Sequence, residues 1–392
     1  MNKAWGGKVG LSGAGLAALL IAGPALAKIK PSVETQVRLG YDSNPFLQSG
    51  NDLASGYAGV TVTPKLSAAT GKGEVSLTGH YDRTEYFKTY DGTDQYGAEL
   101  EARQALSQKL TVFGGLRYDH SVIGQDDDVV SGAAPIDDTD INLIGSRARI
   151  NTYSGSAGFA WQATPKDTVT VDGGYTASRY EDRPAGSNND NYGGRIGYQR
   201  AISAKTKLGI SGSAYRIDYD TPGLHSMVIQ PNVTFSTQLS PRWQFDGSIG
   251  VSFTTIDLPV GPNDKSTGIA GEANLCHKGS KNTFCLFASR SVSGSGFGGT
   301  TRRSQAGFNF DQRLSEKLSL NAGGSYARSA SLSGLLPLRE YVSGHVGLSN
   351  RFARNLTVGI QGQYRDVFGT GLPVKADYGA EINATLALPG PK

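Results

Sequence analysis

Apolar and polar residues alternate along most of this chain. In residues 313–326, a short polar turn is followed by Leu318, Leu320 and Ala322, which are separated by polar residues such as Ser319. Successive side chains of a β-strand point to opposite faces, so residues two positions apart share a face. The pattern therefore predicts a strand with one apolar face and one hydrophilic face that carries few charges.

Short polar turns of the same kind recur about every 38 residues. Each turn joins two segments of about ten alternating residues, the length with which a strand crosses a bilayer. Eight turns, with one further strand at each end, predict about 18 strands and nine longer connections facing outside. A solenoid or propeller could share this period, but a propeller unit would hold four short strands rather than two long ones. The eight turns lie near Gly71, Ser107, Thr164, Ser203, Ser240, Ser280, Ser315 and Ala353.

Composition supports a membrane location for these strands. Charged residues make up 18% of the chain, against about 25% in soluble globular proteins. A barrel that is wet inside and apolar outside has this balance. We therefore predict an all-β fold, a transmembrane antiparallel up-and-down β-barrel of about 18 strands, rather than a soluble β-sandwich.

The N-terminal segment is typical of a secretory signal peptide. Lys3 and Lys8 precede an apolar run of small residues, and an A-x-A cleavage signature ends at Ala27. No later stretch approaches the 18 or so uninterrupted apolar residues of a membrane-spanning helix. Residues 1–27 are therefore predicted to be a signal peptide and residues 28–392 a single outer-membrane barrel domain, secreted past the bacterial inner membrane.

The first strand of the mature chain ends in the motif GYDSNPF, residues 40–46, and amphipathic strands follow it. This combination resembles the β-barrel porin 2 family, outer-membrane proteins of Gram-negative bacteria that are often associated with exopolysaccharide loci. The resemblance implies a role in envelope polysaccharide export or general solute passage, with polysaccharide export components as partners. Outer-membrane lipids, lipopolysaccharide and the barrel insertion machinery are the other expected partners.

The two cysteines are the most specific local signal. The alternation places Cys276 and Cys285 on the lumen side of two strands joined by one short turn. In an oxidising compartment this arrangement predicts a disulfide at the periplasmic end of the barrel. Metal ligation and a redox pair are the alternatives. His277 is adjacent, but a third and a fourth ligand are absent nearby.

A cluster of aspartates occupies the third long connection. Clustered carboxylates can bind Ca²⁺ or, in a loop that folds into a pore, constrict it and repel anions. A solvated acidic surface loop is the plainer interpretation, and we favour it because the spacing does not match an EF-hand. The cluster comprises Asp126, Asp127, Asp128, Asp137, Asp138 and Asp140.

Charged residues of both signs alternate onto the predicted lumen face. Opposed charges across a lumen create a transverse field that selects polar solutes. Equally, such residues can form ion pairs that brace neighbouring strands, and we expect most of them to do so. The candidate pore-lining residues are Arg38, Glu99, Glu101, Arg103, Arg117, Arg195, Asp246, Arg365 and Glu381.

The sequence offers little for bond chemistry. Its five histidines show no metal-ligand spacing on a shared face, and we predict no metal, no cofactor and no enzymatic activity. The small formal net charge of +4 does not favour nucleic-acid binding. The leading hypothesis is an outer-membrane channel for polar solutes or envelope polysaccharide. The alternatives are a non-conducting structural or surface-display barrel and, more weakly, a barrel hydrolase.

Overall fold

The structure is a computed structural model, and it describes residues 29–125, 140–181, 187–259, 262–332, 337–369 and 373–389. No helix among these residues is long and apolar enough to span a membrane. The described part forms β1(Ile29–Asp42), β2(Ser55–Ala69), β3(Gly73–Tyr86), β4(Thr93–Ala105), β5(Leu110–Val122), β6(Arg149–Gln162), β7(Asp167–Tyr180), β8(Asn189–Ala201), β9(Thr206–Tyr219), β10(His225–Gln238), β11(Trp243–Asp257), β12(Asp264–Lys278), β13(Asn282–Gly294), β14(Thr300–Arg313), β15(Leu318–Ser331), β16(Arg339–Arg351), β17(Leu356–Phe368) and β18(Asp377–Pro389).

The strands form one closed antiparallel sheet. Each strand pairs with its neighbours in sequence, and β18 pairs with β1 to close the ring of 18 strands. Closure pairs the two strands that would otherwise be the edges of an open sheet. The predicted fold class, an 18-stranded up-and-down antiparallel barrel, is confirmed.

The short turns owe their geometry to the hydroxyl residue that recurs in them. Ser107 Oγ accepts hydrogen bonds from the backbone N–H groups of Lys109 (3.2 Å) and Leu110 (3.1 Å). Ser315 Oγ does the same for Lys317 (3.3 Å) and Leu318 (3.0 Å). A hydroxyl that binds its own turn in this way favours a tight reversal. The repeated serine and threonine of the sequence pattern are therefore structural.

Alternation along the strands sorts side chains onto two faces, as β11 illustrates. Val251 and Phe253 are 37% and 50% exposed on the outer wall. Between and beyond them, Ser252 and Thr254 are only 1% and 3% exposed on the inner face. The outer face is thus apolar and the inner face polar, as the sequence pattern predicts.

The two ends of the barrel differ. The eight short turns lie at one end, here called the turn end, and the nine longer connections lie at the other, here called the loop end. Three connections are used below: L1 (residues 43–54), L2 (87–92) and L3 (123–148, described at 123–125 and 140–148). The most buried large side chains come from L1 and L3, where Phe46 and Leu143 are 0% exposed. The core therefore sits inside the barrel at the loop end.

The sequence predicts that these connections lie at the external end of the barrel and favours a solvated surface loop for the third one, whereas L1 and the described part of L3 fold inward. L1 and L3 carry apolar residues, such as Leu47 and Ile141, that would be exposed on an outward loop. Burial of such side chains against the inner wall is favourable by about 1.5–3 kcal/mol each. Leu47, Ile141 and Ile144 pack in one cluster with Ala327 and Tyr341 of the inner wall.

Candidate functional site

The lumen in the turn-end half is an open polar cavity of about 1900 Å³. Its lining alternates with the apolar outer face along the same strands, so the strand pattern itself produces a wet interior. Six of the nine candidate pore-lining residues border this cavity: Glu99, Glu101, Arg103, Arg117, Arg195 and Asp246.

Charges on one side of this cavity are arranged as neighbours of opposite sign. On β4 and β5, Glu99 lies directly opposite Arg117 in the strand ladder. On β7 and β8, Arg195 Nε lies 3.3 Å from Asp172 Oδ1. Both residues of the second pair are partly exposed to the lumen, so the pair braces the strands only weakly. Arg195 and Asp172 can therefore link their two strands and also contact a solute in the lumen.

The facing side of the cavity is mainly uncharged. Strands β12 to β14 contribute amides and hydroxyls, with Glu272 and Arg290 as the charged residues among them. A charged wall opposite a hydrogen-bonding wall gives the lumen a transverse asymmetry. The uncharged residues of the facing side include Asn274, Ser289, Gln305 and Asn309.

Arg38 faces inward but has little access to water. It borders a second cavity of about 950 Å³, yet it is only 3% exposed. Its guanidinium forms an ion pair with Asp82 and donates to Thr84 Oγ1 at 3.3 Å. Thr61 Oγ1 donates to the same Asp82 carboxylate at 2.5 Å. Arg38 is therefore part of a bonded network on the wall rather than a free pore charge.

Arg365 and Glu381 are also inward but covered. Arg365 is 3% exposed and binds Asp377 Oδ2 through Nε (3.1 Å) and Nη2 (2.8 Å). Its remaining donors reach Pro45 O in L1 at 2.8 Å and Gly124 O in L3 at 3.1 Å. Glu381, 8% exposed, accepts a 2.9 Å hydrogen bond from Tyr57. Arg38, Arg365 and Glu381 therefore do not line an open pore as predicted, because each is at most 8% exposed.

The GYDSNPF motif forms the anchor of L1. Asp377 Oδ1 accepts the Asn44 backbone N–H at 2.8 Å, and Asn44 Nδ2 donates to Gln48 O and Lys375 O, both at 2.9 Å. Asn44 itself is 1% exposed. The motif that carries the family resemblance thus ties the start of L1 to β18 and to the connection before it. Only the burial of the motif, and not its sequence, reveals this role.

Aromatic rings hold L1 against L2. The Phe46 and Tyr90 ring centroids lie 5.1 Å apart in an edge-to-face arrangement, a favoured geometry for aromatic pairs. The Arg147 guanidinium lies over both rings, 4.5 Å from the Phe46 centroid. Burial raises the pKa of Tyr90 to about 12, so this phenol stays neutral at physiological pH.

L3 adds a polar anchor at Asp140. Its carboxylate accepts hydrogen bonds from Ser295 Oγ (2.8 Å) and Gly296 N (2.7 Å) in the connection between β13 and β14. Asn142, which donates to Asp140, also donates to Ser329 Oγ of the wall at 3.0 Å. Asp140 is thus a structural acceptor within the mouth. The other five residues of the predicted acidic loop, Asp126, Asp127, Asp128, Asp137 and Asp138, lie outside the described residues, as does the predicted signal peptide.

The loop-end half of the β13–β14 hairpin turns into the lumen. The β12–β13 ladder stops at Gly271↔Arg290, although both strands continue beyond it. Beyond that point, Tyr215 of β9 donates to Val292 O at 2.6 Å, and Tyr219 donates to Gly299 O at 2.5 Å. The hairpin therefore reaches the inner face of β9 and narrows the mouth from a second side.

Cys276 and Cys285 are joined by a disulfide between β12 and β13. They are direct partners in the strand ladder, near the turn end, and Cys285 borders the large cavity. The bridge closes a short hairpin loop, so it restrains this turn more than the barrel as a whole. Among the residues that the structure describes, no group of three or more His, Cys, Asp and Glu side chains could hold a metal ion.

No family model matches the chain, and no curated protein matches it. The resemblance to the β-barrel porin 2 family therefore stays a prediction. Among solved structures, OpdQ of Pseudomonas aeruginosa is similar at 11% identity and a TM-score of 0.47, covering 93% of this chain and 100% of that chain. The FrpB iron transporter from Neisseria meningitidis, F3-3 variant, is similar at 9% identity and a TM-score of 0.45, covering 86% of this chain.

A second FrpB structure, the F5-1 variant, matches at 9% identity and a TM-score of 0.48, covering 90% of this chain. The chain spans only 62% and 64% of the length of the two FrpB structures. Similarities at this level concern barrel architecture and carry no argument about solute or partner.

Proposed function

We propose that the protein is an outer-membrane channel that passes small polar solutes by diffusion, with the loop end facing outside the cell. The observation that carries the proposal is the open polar cavity of about 1900 Å³ inside a closed sheet with an apolar outer wall. An apolar surface of this extent is unfavourable in water, and lipid covers such a surface in membrane barrels. The proposed function involves no covalent chemistry.

Tyrosines on the outer wall support a membrane boundary near the loop end. Tyr81 donates to Asp94 at 2.8 Å and Tyr175 to Asp190 at 2.7 Å, and each acid lies further toward the loop end. Tyrosine rings favour membrane interfaces, where the ring contacts lipid and the hydroxyl contacts polar groups. The same arrangement recurs at Tyr192, Tyr326 and Tyr364.

The narrowed mouth limits what this channel passes. L1, L3 and the β13–β14 hairpin fill much of the loop end, whereas the turn end opens into the large cavity. We expect small unitary currents in planar lipid bilayers, with weak ion selectivity because acidic and basic residues both line the lumen. Stepwise currents from the purified, refolded barrel are the expected result. Their absence over a wide voltage range would overturn the proposal.

The filled mouth also favours a second candidate, a non-conducting barrel that displays its loops. The same recording separates the two, because a display barrel gives no current at any voltage. Export of envelope polysaccharide, which the family resemblance implies, is a further candidate in which the polymer passes the loop end beside L1, L3 and the β13–β14 hairpin. If export is the function, a barrel with L1 released should admit larger neutral polymers than the wild-type barrel, as polymer-exclusion measurements would detect.

The outer-membrane location and the cleavage at Ala27 are part of the same proposal. They are tested by fractionating membranes and sequencing the N-terminus of the recovered protein. We expect the protein in the outer-membrane fraction, beginning at Lys28. Recovery in the inner-membrane fraction, or an intact first segment, would contradict this part.

A further inference from the structure

Each of the eight short turns carries one basic residue, and the eight turns together carry a single acid, Glu316. All eight basic side chains are exposed. In seven of the turns the basic residue is the last one before the next strand begins. This set of residues, here called the cation ring, comprises Lys72, Lys109, Lys166, Lys205, Arg242, Lys281, Lys317 and Arg354.

The chain supplies no counter-charges to the cation ring. Among the residues that the structure describes, which include all eight turns, no member of the ring forms an ion pair. Asp167 directly follows Lys166, yet it is Arg200 Nη1 that lies 3.3 Å from its Oδ1. Near the loop end, in contrast, arginines such as Arg179 are paired with a neighbouring acid, here Asp190. The unpaired cations of the ring therefore direct their field toward the solution.

The cation ring surrounds the entrance to the large cavity. Residues two positions apart along a strand share a face. By this rule Lys109 has the facing of Arg117 in β5, and Lys205 has the facing of Ser213 in β9. Both Arg117 and Ser213 line the cavity of about 1900 Å³. The ring therefore continues the lumen face at the turn end, and it does not belong to the lipid-facing wall.

The connections at the loop end have the opposite balance of charge. In the sequence they carry eleven acidic and four basic residues. Charge is thus polarised along the barrel axis, with cations around the open end of the large cavity. An anion is attracted toward the turn end and repelled from the loop end, which gives the channel a preferred side of entry for anions.

The spacing of the ring decides which anions respond to it. A barrel of 18 strands, spaced about 4.8 Å and tilted about 40°, has a radius of about 18 Å, so neighbouring turns lie about 14 Å apart. This spacing exceeds the Debye length of about 8 Å at physiological salt. Eight unit charges at that radius then enrich a monovalent anion at the centre about 1.4-fold and a tetravalent anion about fourfold.

We propose that the cation ring collects small multivalent anions at the turn end and steers them into the lumen. This inference rests on the proposed function, because it names a solute class for that channel and the end at which the solute enters. The exposed ring has no closed pocket, so association is weak, fast and strongly dependent on salt. Monovalent ions respond little, which agrees with weak selectivity for simple salts.

The first test measures binding without conductance. The probe is radiolabelled butanetetracarboxylate at about pH 8, where its four carboxyl groups are ionised, and butyrate is its monovalent counterpart. Equilibrium dialysis against the barrel in a neutral detergent, at about 20 mM salt, should show binding of the tetravalent anion that is lost at about 1 M salt. Butyrate should bind at least about fivefold more weakly. Equal binding of the two anions would overturn the proposal.

Two variants with the same loss of charge locate the binding. Replacing three lysines of the ring by glutamine should weaken binding of the tetravalent anion by about fivefold or more. Replacing three exposed lysines at the loop end should change it by less than about twofold. Equal loss in the two variants would place the anion elsewhere and overturn the proposal. The ring variant is Lys109→Gln, Lys205→Gln and Lys317→Gln, and the control variant is Lys88→Gln, Lys265→Gln and Lys375→Gln.

The second test uses the unmodified protein in planar lipid bilayers. Butanetetracarboxylate, added to one side at a time, should reduce the KCl current at about fourfold lower concentration from one side than from the other. A KCl current that is equally sensitive from both sides would overturn the inference and leave the channel proposal standing. Binding to the ring without any KCl current would instead support the ring and contradict the channel.

Discussion

The two halves of the barrel share one strand pattern and enclose different interiors. In the turn-end half, inward polar residues such as Arg195 and Asp246 surround a wet cavity. In the loop-end half, inward positions carry apolar residues, including Ile217, Val228 and Ile256, each no more than 1% exposed. The same pattern of strands can therefore enclose either a wet cavity or an apolar core. What fills it depends on whether loops bring apolar groups that can meet apolar wall positions.

Electrostatics separates the halves in the same way. The Arg195–Asp172 pair of the turn-end half is partly exposed to the lumen, whereas Arg365 and Asp377 of the loop-end half are 4% and 0% exposed. Exposed pairs contribute little to stability, because water screens them. A buried pair becomes costly when one partner is lost, because the other stays charged and desolvated. The two halves should therefore respond very differently to the same kind of substitution.

The largest expected effect is that of Arg365→Ala. It leaves Asp377 buried without its cation and frees L1 and L3 from a shared donor, at a cost of about 3–5 kcal/mol. We expect a lower thermal unfolding midpoint in detergent and a larger single-channel conductance, since the mouth is no longer held. Arg195→Ala, in the open half, is the matched control and should cost less than about 1 kcal/mol. Equal effects of the two substitutions would erase the contrast between the halves.

A second substitution tests the apolar filling. Leu143 in L3 is 0% exposed. Leu143→Ala should lower the free energy of unfolding by about 2–5 kcal/mol, because it leaves a closed apolar cavity. Leu348, 42% exposed on the outer wall, undergoes the same chemical change as its control. Surrounding lipid or detergent fills that space, so Leu348→Ala should cost less than about 1 kcal/mol. Urea unfolding of both variants measures the difference, and a costlier Leu348→Ala would refute a core at the loop end.

The disulfide of the turn end should have a smaller effect. Replacing Cys276 and Cys285 together by serine is expected to cost about 2 kcal/mol, because a bridge across a short loop removes little chain entropy. Conductance should stay unchanged, since the bridge is far from the mouth. Mass spectrometry with and without reduction and alkylation first verifies the bond in the wild-type protein. A changed conductance in the serine variant would show that this turn also controls the passage.

The smallest expected effect concerns ion selectivity. Glu99→Gln should shift the reversal potential toward anion preference and Arg117→Gln toward cation preference, because each removes one lumen charge from a cross-strand pair. We expect changes in the permeability ratio of less than about twofold at physiological salt, falling further at high salt. Recordings under a salt gradient measure both variants. Shifts in the same direction would indicate that these residues do not act as lumen charges.

The sequence was sufficient for the wall and for its outer and inner faces. The turn residues Ser107 and Ser315, the strand number and the facing of Cys276 and Cys285 all follow from short-range patterns. For the pore residues it was sufficient only in part. Glu99 and Arg117 border the open cavity as predicted, whereas Arg38 and Arg365 share their facing but are buried. The side of a strand on which a residue lies is set locally. Whether that residue is buried depends on segments that are distant in sequence, as Pro45 and Gly124 are from Arg365.

One sequence signal could have indicated the filled mouth. Inward positions near the loop ends of several strands are apolar, as at Ile217, Ile256 and Val367, against the polar rule elsewhere on the inner face. Apolar residues within L1, such as Phe46 and Leu47, are the complementary part. Neither the apolar inward positions nor the apolar residues of L1 would be sufficient alone, because strand ends and loops both tolerate scattered apolar residues.

The alternation of side chains and the spacing of the turns by themselves determined that this chain forms a barrel wall with an apolar outside. Both follow from the two-residue repeat of a strand and from short-range turn patterns. Only the tertiary structure decided that GYDSNPF is an anchor, that Arg365 holds two loops, and that the β12–β13 ladder ends at Gly271↔Arg290, beyond which the β13–β14 hairpin turns inward. These features arise from contacts between segments that are distant in sequence, and no local periodicity encodes them.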